Sequence, residues 1–406
     1  MSRAASLQSP LGGAETGTGP RPGRARRGGA PRVVFWGTYD LGKPRTRILL
    51  EGLAEAGVEV AQIHGTIWPD HADKSQLGAG AFARALLRAI LWYPILVVRF
   101  LLSPRDATIV VPYPGPLDVL VLHPFARARG QRIVWDMFLS LYDTVANDRQ
   151  MVSRTTLAAR LLRRLERRAA LLADPVLLDT GAHAAHVTRL LELPPGRTAA
   201  VPVGAETARF PRLAPPVAHG GRPRVLFYGQ LIPLHGIETI LAAALSERGR
   251  QIDWHIVGTG QDRPKVEAAL ARGGAGHVTW DDWVPYDRLI EAIGAADICL
   301  GIFGASDKAA SVVPNKVYQT LMAGRAVITR ASPAMAETFG ETRGLTLVPH
   351  SDPDALLDAI DAVAAQGCPP MPAARLAIAR PRAVAERFLA TIAERGAQPL
   401  GEEVRA

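Results

Sequence analysis

Short apolar runs alternate with longer stretches of helical periodicity along the first half of the chain. Val and Ile dominate these runs, and a stretch long enough for a helix separates each run from the next. Buried strands that alternate with helices are typical of βα units and of a parallel sheet covered on both faces. We therefore predict strands at RVVFW 32–36, VEVAQI 58–63, TIVV 108–111, RIVW 132–135 and VLLD 176–179, with a first helix near 46–56.

The same alternation restarts after a Pro/Gly-rich linker at 211–223. This repetition predicts an α/β protein with two Rossmann-like parallel-sheet domains, at 31–210 and 224–370, and a final helix in 371–406 that packs back toward the N-terminal domain. Ligands of such sheets bind beyond the carboxyl ends of the strands, so we expect a cleft where the two domains face each other. The second set of predicted strands is RVLFY 224–228, IDWHIV 252–257, HVTW 277–280, DICLGI 297–302, AVITR 326–330 and GLTLV 344–348.

Residues 82–102 are strongly apolar, yet Arg84, Arg88 and Arg99 interrupt them. The longest uncharged run is the ten residues 89–98, whereas a membrane-spanning helix needs about 20 predominantly apolar residues. Arginines beside aromatic side chains instead favour a helix that lies in the plane of a membrane interface. A long helix buried in the protein core is the alternative.

A second unusual segment, residues 153–172, is basic and amphipathic. Leu157, Leu161, Leu165 and Leu172 share one helical stripe, and the segment contains six arginines and one glutamate. Such a helix attracts anionic lipid, although an ordinary solvated surface helix has the same pattern. Because both segments fall in the N-terminal domain, we expect this domain to contact a membrane surface.

Composition limits the possible classes of protein. The chain has 406 residues, 48% hydrophobic and 21% charged, which is typical of a globular protein with two domains. Its two cysteines cannot build a disulfide framework or a cysteine-based zinc site, and we predict a cytoplasmic location. The net charge is +9, but no zinc-finger, helix-turn-helix or RNA-binding signature is present, so no nucleic-acid partner is expected. Residues 1–30 are predicted to be a disordered basic leader.

The segment 303–330 has the densest group of unusual residues. Five of the 47 lysine and arginine residues are lysines, and two of these five, Lys308 and Lys316, lie in this segment. Pro314 is suited to the first turn of a helix, where the amides of Asn315 and Lys316 would lie at its positive end. A helix amino end flanked by lysines is a good receptor for a diphosphate, whereas a basic loop before a capped helix is the alternative reading.

A second group, YGQLIPLHGIETIL at 228–241, also follows a predicted strand and opens a helix. Gly229 permits a tight turn or a close backbone approach, and Gln230 and His235 are able to donate hydrogen bonds to phosphate oxygens. The run IVGTG adds a further turn with Gly258 and Gly260. Neither glycine-rich turn has the GxGxxG spacing of dinucleotide-binding proteins, which argues against a dehydrogenase.

Together these motifs resemble the GT-B fold glycosyltransferases, in particular retaining glycosyltransferase family 4. The resemblance covers essentially all of 224–365 and depends on YGQLIPLHGIETI, IVGTGQ, WVPYDRL, AADICLGIF and PNKVYQTLMAGRAVI. The last of these is similar to the family's P-x-K-x-x-E-x-x-x-x-G-x-P-V-I segment. In the N-terminal half, WGTYD, VPYPGPLDVL, WDMFLSLYDT and ADPVLLDTGAH are similar to the acceptor domain of one branch of the family.

The resemblance implies roles for individual residues. Lys308, Lys316 and the amides from Pro314 to Lys316 would bind the diphosphate of a nucleotide-sugar donor, and the backbone of Val284 would meet the nucleobase. Gln319 stands where the family commonly has the second glutamate of its Glu-x7-Glu motif, which binds the ribose hydroxyls. The sequence departs from the family there, at Ser311, where the first glutamate would stand, and at Gln230 and His235, where arginine and lysine are common.

The other half of the reaction needs groups that orient the acceptor hydroxyl or take its proton. Candidate catalytic carboxylates near predicted strand ends are Asp40, Asp136 and Asp143, although a carboxylate that merely caps a helix is an alternative for each. Arg45 and Arg47 are candidates to hold a phosphate of the acceptor, and the alternative is a solvated first helical turn.

The sequence thus predicts a retaining glycosyltransferase that uses a nucleotide diphosphate sugar and requires no metal. Fixed cations and helix amides would stabilise the leaving diphosphate. The expected acceptor is lipid-linked or a polysaccharide precursor, and the enzyme would be peripheral to the inner face of the plasma membrane. A catalytically silent nucleotide-sugar-binding protein and a GT-B nucleotide-sugar epimerase are the alternatives.

Overall fold

The computed structural model describes residues 32–67, 79–216 and 221–396, with backbone only for 79–86 and 396. The predicted leader at 1–30 lies outside these residues. The first half forms a six-stranded parallel sheet with the strand order β2-β1-β3-β4-β5-β6. Its strands are β1 Arg32–Gly37, β2 Glu59–His64, β3 Thr108–Pro112, β4 Ile133–Phe138, β5 Val176–Leu178 and β6 Thr198–Ala200.

Helices cover both faces of this sheet, as expected for strands that are apolar on both sides. The helices of the first half are α1 Pro44–Glu55, α2 Ala79–Leu101, α3 Pro116–Ala128, α4 Leu157–Leu172 and α5 Gly181–Leu190. Side chains from α2 to α5 pack with one face of the sheet, and α1 packs against the other face. A π-helix at Asp143–Asp148 follows β4, where the chain leaves the carboxyl edge of the sheet.

The second half repeats the architecture with the strand order β12-β11-β10-β7-β8-β9, again all parallel. Its strands are β7 Arg224–Tyr228, β8 Asp253–Val257, β9 Val278–Asp281, β10 Ile298–Leu300, β11 Ala326–Arg330 and β12 Leu345–Val348. Its helices are α6 Ile237–Leu245, α7 Arg263–Leu270, α8 Tyr286–Ala295, α9 Asp307–Ser311, α10 Asn315–Met322, α11 Pro333–Thr338, α12 Pro353–Ala365 and α13 Pro381–Gly396.

The predicted fold class is confirmed: two parallel sheets with helices form a two-domain α/β structure, and each predicted apolar run contains a strand. Among the strands of the described residues, the sequence analysis missed only β6, a three-residue strand at the edge of the first sheet. The last helix, α13, lies against α1, and the carbonyl oxygen of Pro381 occupies the space beside Gly52 that a Cβ atom would need.

Three neighbouring helices, α2, α3 and α4, form the outer layer of the first sheet. A row of large apolar side chains on α2 faces solvent, while Leu96 and Phe100 on the opposite side are buried. This pattern excludes the alternative in which the segment is a fully buried core helix. Among the described helices, none has the length and apolarity to cross a bilayer. The exposed apolar residues of this layer are Leu87, Ile90, Leu91, Ile95, Val98, Leu101, Leu117, Leu157 and Leu161.

Candidate functional site

The two halves meet through the carboxyl edges of their sheets. The hydroxyl of Thr180, at the start of α5, donates a hydrogen bond to the carbonyl of Ser311 at the end of α9, with an oxygen–oxygen distance of 2.5 Å. The amide of Val313 donates to Asp179, and the carboxylate of Glu337 accepts hydrogen bonds from the first two amides of α5. The segments that follow β5, β10 and β11 are thereby brought to one interface, at the edge where ligands of parallel sheets bind.

Lys316 is the most unusual residue at this edge. It lies in the first turn of α10, whose N-cap is Pro314, and its side chain is almost fully buried. Its Nζ lies 3.9 Å from the ring centroid of Phe227, but it has no hydrogen-bond partner within the described residues. The buried Oδ1 of the preceding Asn315 also lacks a partner there. Buried polar atoms are normally paired, so these atoms mark a place where a ligand can supply the missing contacts.

Gly229 makes room for this lysine. Its φ angle is 137°, and a Cβ atom at this position would lie 2.9 Å from Nζ of Lys316 and 3.2 Å from Cε1 of His235. His235 is buried, and its Nδ1 is hydrogen-bonded to the carbonyl of Gln230. Burial, followed by the positive charge of Lys316, holds the pKa of His235 well below its usual value, so the ring is neutral. A lysine and a neutral histidine therefore converge on the turn after β7.

The other glycines predicted for the donor site shape the same turn. A Cβ atom on Gly258 would lie 1.9 Å from the carbonyl oxygen of Gly229, so only glycine lets the turn after β8 come so close to the turn after β7. A Cβ atom on Gly260 would lie 2.6 Å from the carbonyl oxygen of Leu231. Because these glycines have no Cβ atom, the backbones of the two loops after β7 and β8 lie close together beside Lys316.

Two predicted donor residues lie farther along the same edge. Val284 is half-buried in the loop between β9 and α8, next to the exposed Trp283. Oε1 of Gln319 accepts a hydrogen bond of 3.0 Å from the hydroxyl of Tyr228, at the end of β7. The side chain of Gln230 points across the domain interface, where its Oε1 accepts a hydrogen bond of 3.1 Å from Arg149.

Lys308 does not share the environment of Lys316. Its Nζ lies 2.7 Å from the hydroxyl of Thr144 and 3.6 Å from Oδ2 of Asp148, and both of these residues belong to the π-helix of the first half. Burial lowers the pKa of Lys308, and the nearby carboxylates of Asp148 and Asp143 oppose that effect. The resemblance implied that Lys308 binds the diphosphate, but the structure engages its ammonium group in a contact between the halves.

Asp143 lies at the start of the π-helix, and Glu166 positions it. The buried carboxylate of Glu166 accepts hydrogen bonds from the hydroxyl of Ser140 and the amides of Leu141 and Tyr142, and burial raises its pKa to about 7. The hydroxyl of Ser140 in turn accepts a hydrogen bond from the amide of Asp143. Three residues of the loop after β4 are thus held against α4.

The carboxylate of Asp143 is paired with His186, a residue of α5 that the sequence analysis missed. Oδ2 lies 3.2 Å from Nε2 of His186, and Oδ1 accepts a hydrogen bond from Asn147. Burial alone would raise the pKa of Asp143, but the hydrogen bonds to His186 and Asn147 and the charge of Lys308 outweigh it, and the pKa lies below its usual value. The only available signal was the second histidine of GAHAAH, which the fold brings beside Asp143.

Asp136 and Arg45, by contrast, form a closed structural pair. Both side chains are fully buried, and the guanidinium of Arg45 binds Asp136 through Nε and Nη2 and donates from Nη1 to the carbonyls of Val201 and Pro202. Neither side chain has an open face for a substrate. The pairing gives Arg45 and Asp136 a structural role, and the roles predicted for them in acceptor binding and in catalysis stay predictions.

The remaining predicted residues lie at the end of β1 and the start of α1. Arg47 is half-buried and makes a bidentate ion pair with Glu206, at 2.8 and 3.0 Å. Asp40 is half-exposed and accepts a hydrogen bond from the amide of Gly42. In the described part of the chain, no three His, Cys, Asp or Glu side chains are grouped as a metal site.

The chain is similar to known glycosyltransferases in both sequence and fold. Residues 222–366 match the family model of glycosyl transferases group 1. No curated protein sequence matches the chain. Similar solved structures include the sucrose-phosphate synthase from Thermosynechococcus elongatus, with 18% identity, a TM-score of 0.62, and coverage of 89% of this chain and 94% of that one.

Two further solved structures share the fold along nearly their whole lengths. HepE of Anabaena in complex with UDP has 10% identity, a TM-score of 0.57, and coverage of 90% of this chain and 100% of that one. The lipopolysaccharide outer core galactosyltransferase WaaB has 13% identity, a TM-score of 0.57, and coverage of 89% and 99%. Likeness at this level of identity shows the fold, while the family match identifies the second half. Residues 222–366 thus match the model of glycosyl transferases group 1, and the chain as a whole shares its two-domain α/β fold with these solved structures.

Proposed function

We propose that the protein is a retaining glycosyltransferase, similar to family 4, that transfers a sugar from a nucleotide diphosphate sugar to a lipid-linked or polysaccharide-precursor acceptor. The observation that carries this proposal is Lys316, a buried lysine whose amino group has no hydrogen-bond partner among the described residues, at the carboxyl edge of the second sheet. A diphosphate is the ligand that suits it, because the amides at the start of α10 add further hydrogen-bond donors.

The reaction needs these groups for a physical reason. Breaking the bond between the sugar and the phosphate builds negative charge on the leaving nucleotide. Burial lowers the pKa of Lys316, a bound phosphate raises it again, and the ammonium group that then forms in a site without water stabilises the charge strongly. Lys316 and the amides of Asn315 and Lys316 supply this stabilisation without a metal ion. His235 is neutral, and because its Nδ1 donates to the carbonyl of Gln230, its other ring nitrogen is left as a hydrogen-bond acceptor and does not add a donor for the phosphate.

On the acceptor side, we assign the role of proton acceptor to the pair of His186 and Asp143. Asp143 is held ionised and buried, whereas the His186 ring is partly exposed, so solvent and a substrate can reach the histidine. An ionised carboxylate beside one ring nitrogen fixes the orientation of the ring and stabilises its protonated form. Asp40, half-exposed at the end of β1, is a candidate to orient the acceptor hydroxyl.

Retention of the anomeric configuration is inferred from the resemblance to family 4. The segment PNKVYQTLMAGRAVI carries this resemblance, and in the structure its proline, lysine and glycine lie at the N-cap of α10, in its first turn and just beyond its end. Gln319 replaces the family's glutamate and is already hydrogen-bonded to Tyr228, so we expect the ribose to be bound through the amide group.

The outer layer of the first half supports an acceptor at a membrane surface. Helices α2, α3 and α4 each connect the carboxyl end of one strand to the next part of the sheet, so their first turns lie at the edge that carries the site. Leu87, Leu117, Leu157 and Leu161 are exposed toward these ends. The only carboxylates on the three helices, Asp118 and Glu166, are buried, whereas arginines on them are exposed. Exposed apolar and cationic side chains without exposed acids are typical of surfaces that bind anionic lipid.

The solved structures agree with a nucleotide donor, since HepE was solved with UDP and with UDP-glucose. WaaB is named for lipopolysaccharide, an acceptor that belongs to the class proposed here.

A thermal-shift panel of nucleotide sugars tests the donor part of the proposal. A donor that binds only the folded protein raises the melting temperature. We expect one donor to raise the melting temperature of the wild type and of Lys265→Met, an exposed lysine of the same half, but not that of Lys316→Met. The selected donor is then incubated with membrane extract, and the anomeric configuration of the product is read by NMR. Equal shifts in all three proteins, or an inverted product, would contradict the proposal.

The acceptor-side assignment has its own test in His186→Gln. Loss of a general base slows transfer by roughly 10²–10⁴-fold. We expect transfer to fall by this factor while donor affinity stays unchanged. Equal transfer rates for the variant and the wild type would remove His186 from the mechanism.

A further inference from the structure

The amino edge of the first sheet, opposite the candidate site, contains a cavity of about 500 Å³. Its walls are the last turns of α3 and α4 and the loops that lead into β4, β5 and β6. The proposed transfer reaction uses the other edge of the sheet, so this cavity has no role in donor binding.

Arginines dominate the walls of this cavity. Arg127, Arg132, Arg168 and Arg197 line it with His123, and Asp174 is the one carboxylate among its lining residues. Arg132 and Arg197 are partly engaged, because each donates a hydrogen bond to a backbone carbonyl, of Arg395 and Ala173 respectively. Arg127 and Arg168 have no hydrogen-bond or ion-pair partner among the described residues. Two guanidinium groups are thus available to a ligand in one cavity.

The positive charges of Arg127 and Arg168 affect the same part of the cavity. The pKa of His123 is lowered by burial first, and then by the positive charges of Arg127 and Arg168. Both guanidinium groups are therefore close enough to His123 for their fields to overlap on it. Overlapping positive fields favour a polyvalent anion such as a phosphate, which guanidinium groups bind with paired hydrogen bonds.

An exposed apolar surface lies beside the cavity. Arg129, at the end of α3, donates hydrogen bonds to the carbonyls of Leu101 and Ser103, and its guanidinium lies over the ring of Phe100. These contacts fix the end of α3 against the end of α2. Leu102, directly after α2, is 82% exposed. A phosphate site and an apolar surface are thereby placed side by side.

We propose that this cavity binds the phosphate of an anionic phospholipid headgroup, with the end of α2 against the acyl chains. The proposal extends the membrane contact of the proposed function and depends on it. Arg127 and Arg168 bind the phosphate oxygens, and Arg132 and Arg197 add positive charge from the walls. Such a site holds the first half on the membrane independently of the donor and the acceptor.

The test uses the full chain and a soluble short-chain probe, dihexanoylphosphatidylglycerol below its critical micelle concentration. We expect the double variant Arg127→Gln/Arg168→Gln to bind this probe at least about tenfold more weakly than the wild type, as expected for the loss of charge-assisted hydrogen bonds. The matched control is Arg272→Gln/Arg343→Gln, which removes the same charge from exposed positions of the second half. Neither residue lines the cavity, so the control should stay within about twofold of the wild type.

Three results would overturn the proposal. The first is that the wild type fails to bind the probe. The second is that both double variants lose affinity equally, which would indicate diffuse attraction by the surface. Alternatively, inorganic phosphate at the same concentration binds as tightly as the lipid, which would make the cavity a site for free phosphate. Vesicles of phosphatidylcholine, with and without phosphatidylglycerol, are tested in parallel. If the wild type binds neither vesicle, the membrane part of the proposed function fails, while the thermal-shift panel still decides the donor part.

Discussion

Arg45 in the first half and Lys316 in the second half are both buried near the carboxyl edges of their sheets, and the two basic side chains differ in their partners. In the first half, Arg45 is surrounded by acceptors: the carboxylate of Asp136 and the carbonyls of Val201 and Pro202. In the second half, Lys316 has no hydrogen-bond partner among the described residues and contacts the face of Phe227. A buried cation with a complete set of acceptors stabilises the fold, whereas one without acceptors is available to an anionic ligand.

Lys308 shows that burial at this edge is insufficient to identify a ligand site. It is as deeply buried as Lys316, yet its ammonium group contacts Thr144 and Asp148 of the first half. Its partners indicate a role in holding the two halves together. The three cations therefore give three predictions, and their expected effects decrease from Arg45 to Lys308.

Arg45→Ala should destabilise the fold most. Removing one member of a buried ion pair leaves the other charge without a partner, which costs about 3–5 kcal/mol of unfolding free energy. Urea denaturation measures this loss. The control is Arg382→Ala, which removes an exposed ion pair with Glu386 and should cost less than about 1 kcal/mol. Similar losses of unfolding free energy in Arg45→Ala and Arg382→Ala would contradict the structural role of Arg45. The contrast with Lys316 would then fail.

Lys316→Met should affect ligand binding and leave the fold intact. Its amino group makes no hydrogen bond to the described residues, so the unfolding free energy should stay equal or rise when this buried polar group is removed. Donor binding should weaken by about 1.5–3 kcal/mol, the range for hydrogen bonds to charged groups. Calorimetry with the donor selected by the panel gives the affinity. If the variant unfolds more easily and binds the donor normally, Lys316 has a structural role.

Lys308 and Asp148 should be coupled through the interface between the halves. A double-mutant cycle of Lys308→Met and Asp148→Asn isolates their interaction, which we expect to be about 1 kcal/mol in unfolding free energy. Donor affinity should change less in Lys308→Met than in Lys316→Met. A coupling near zero, together with a large loss of donor affinity, would return Lys308 to the diphosphate site that the resemblance implied.

The elements of the fold were predictable because they depend on local pattern. Apolar runs marked the buried strands, and Pro314 marked the start of α10, which the structure places at Asn315–Met322. Lys316 was also predictable, since a lysine in the first turn of a helix after a strand lies at the ligand-binding edge of such a sheet. These signals need no knowledge of distant contacts.

The partners of the charged residues were not predictable, because they lie far away along the chain. Asp136 is 91 positions from Arg45, and Thr144 is 164 positions from Lys308. A carboxylate after a strand has the same local pattern whether it pairs with an arginine, as Asp136 does, or with a histidine, as Asp143 does. Only the fold decides between these outcomes, and for the same reason the arginine cavity between α3 and α4 left no sequence motif.

Proton uptake on ligand binding tests the role of Lys316 most directly. Burial holds its pKa well below the usual value, and a phosphate beside Nζ would favour the charged ammonium and raise the pKa again. Calorimetry with the nucleoside diphosphate of the selected donor, at about pH 8 where its phosphates are ionised, is repeated in two buffers of different ionisation enthalpy. The account predicts that the wild type takes up protons on binding and that Lys316→Met does not. Equal proton uptake by the two proteins would contradict the claim that Lys316 binds the diphosphate.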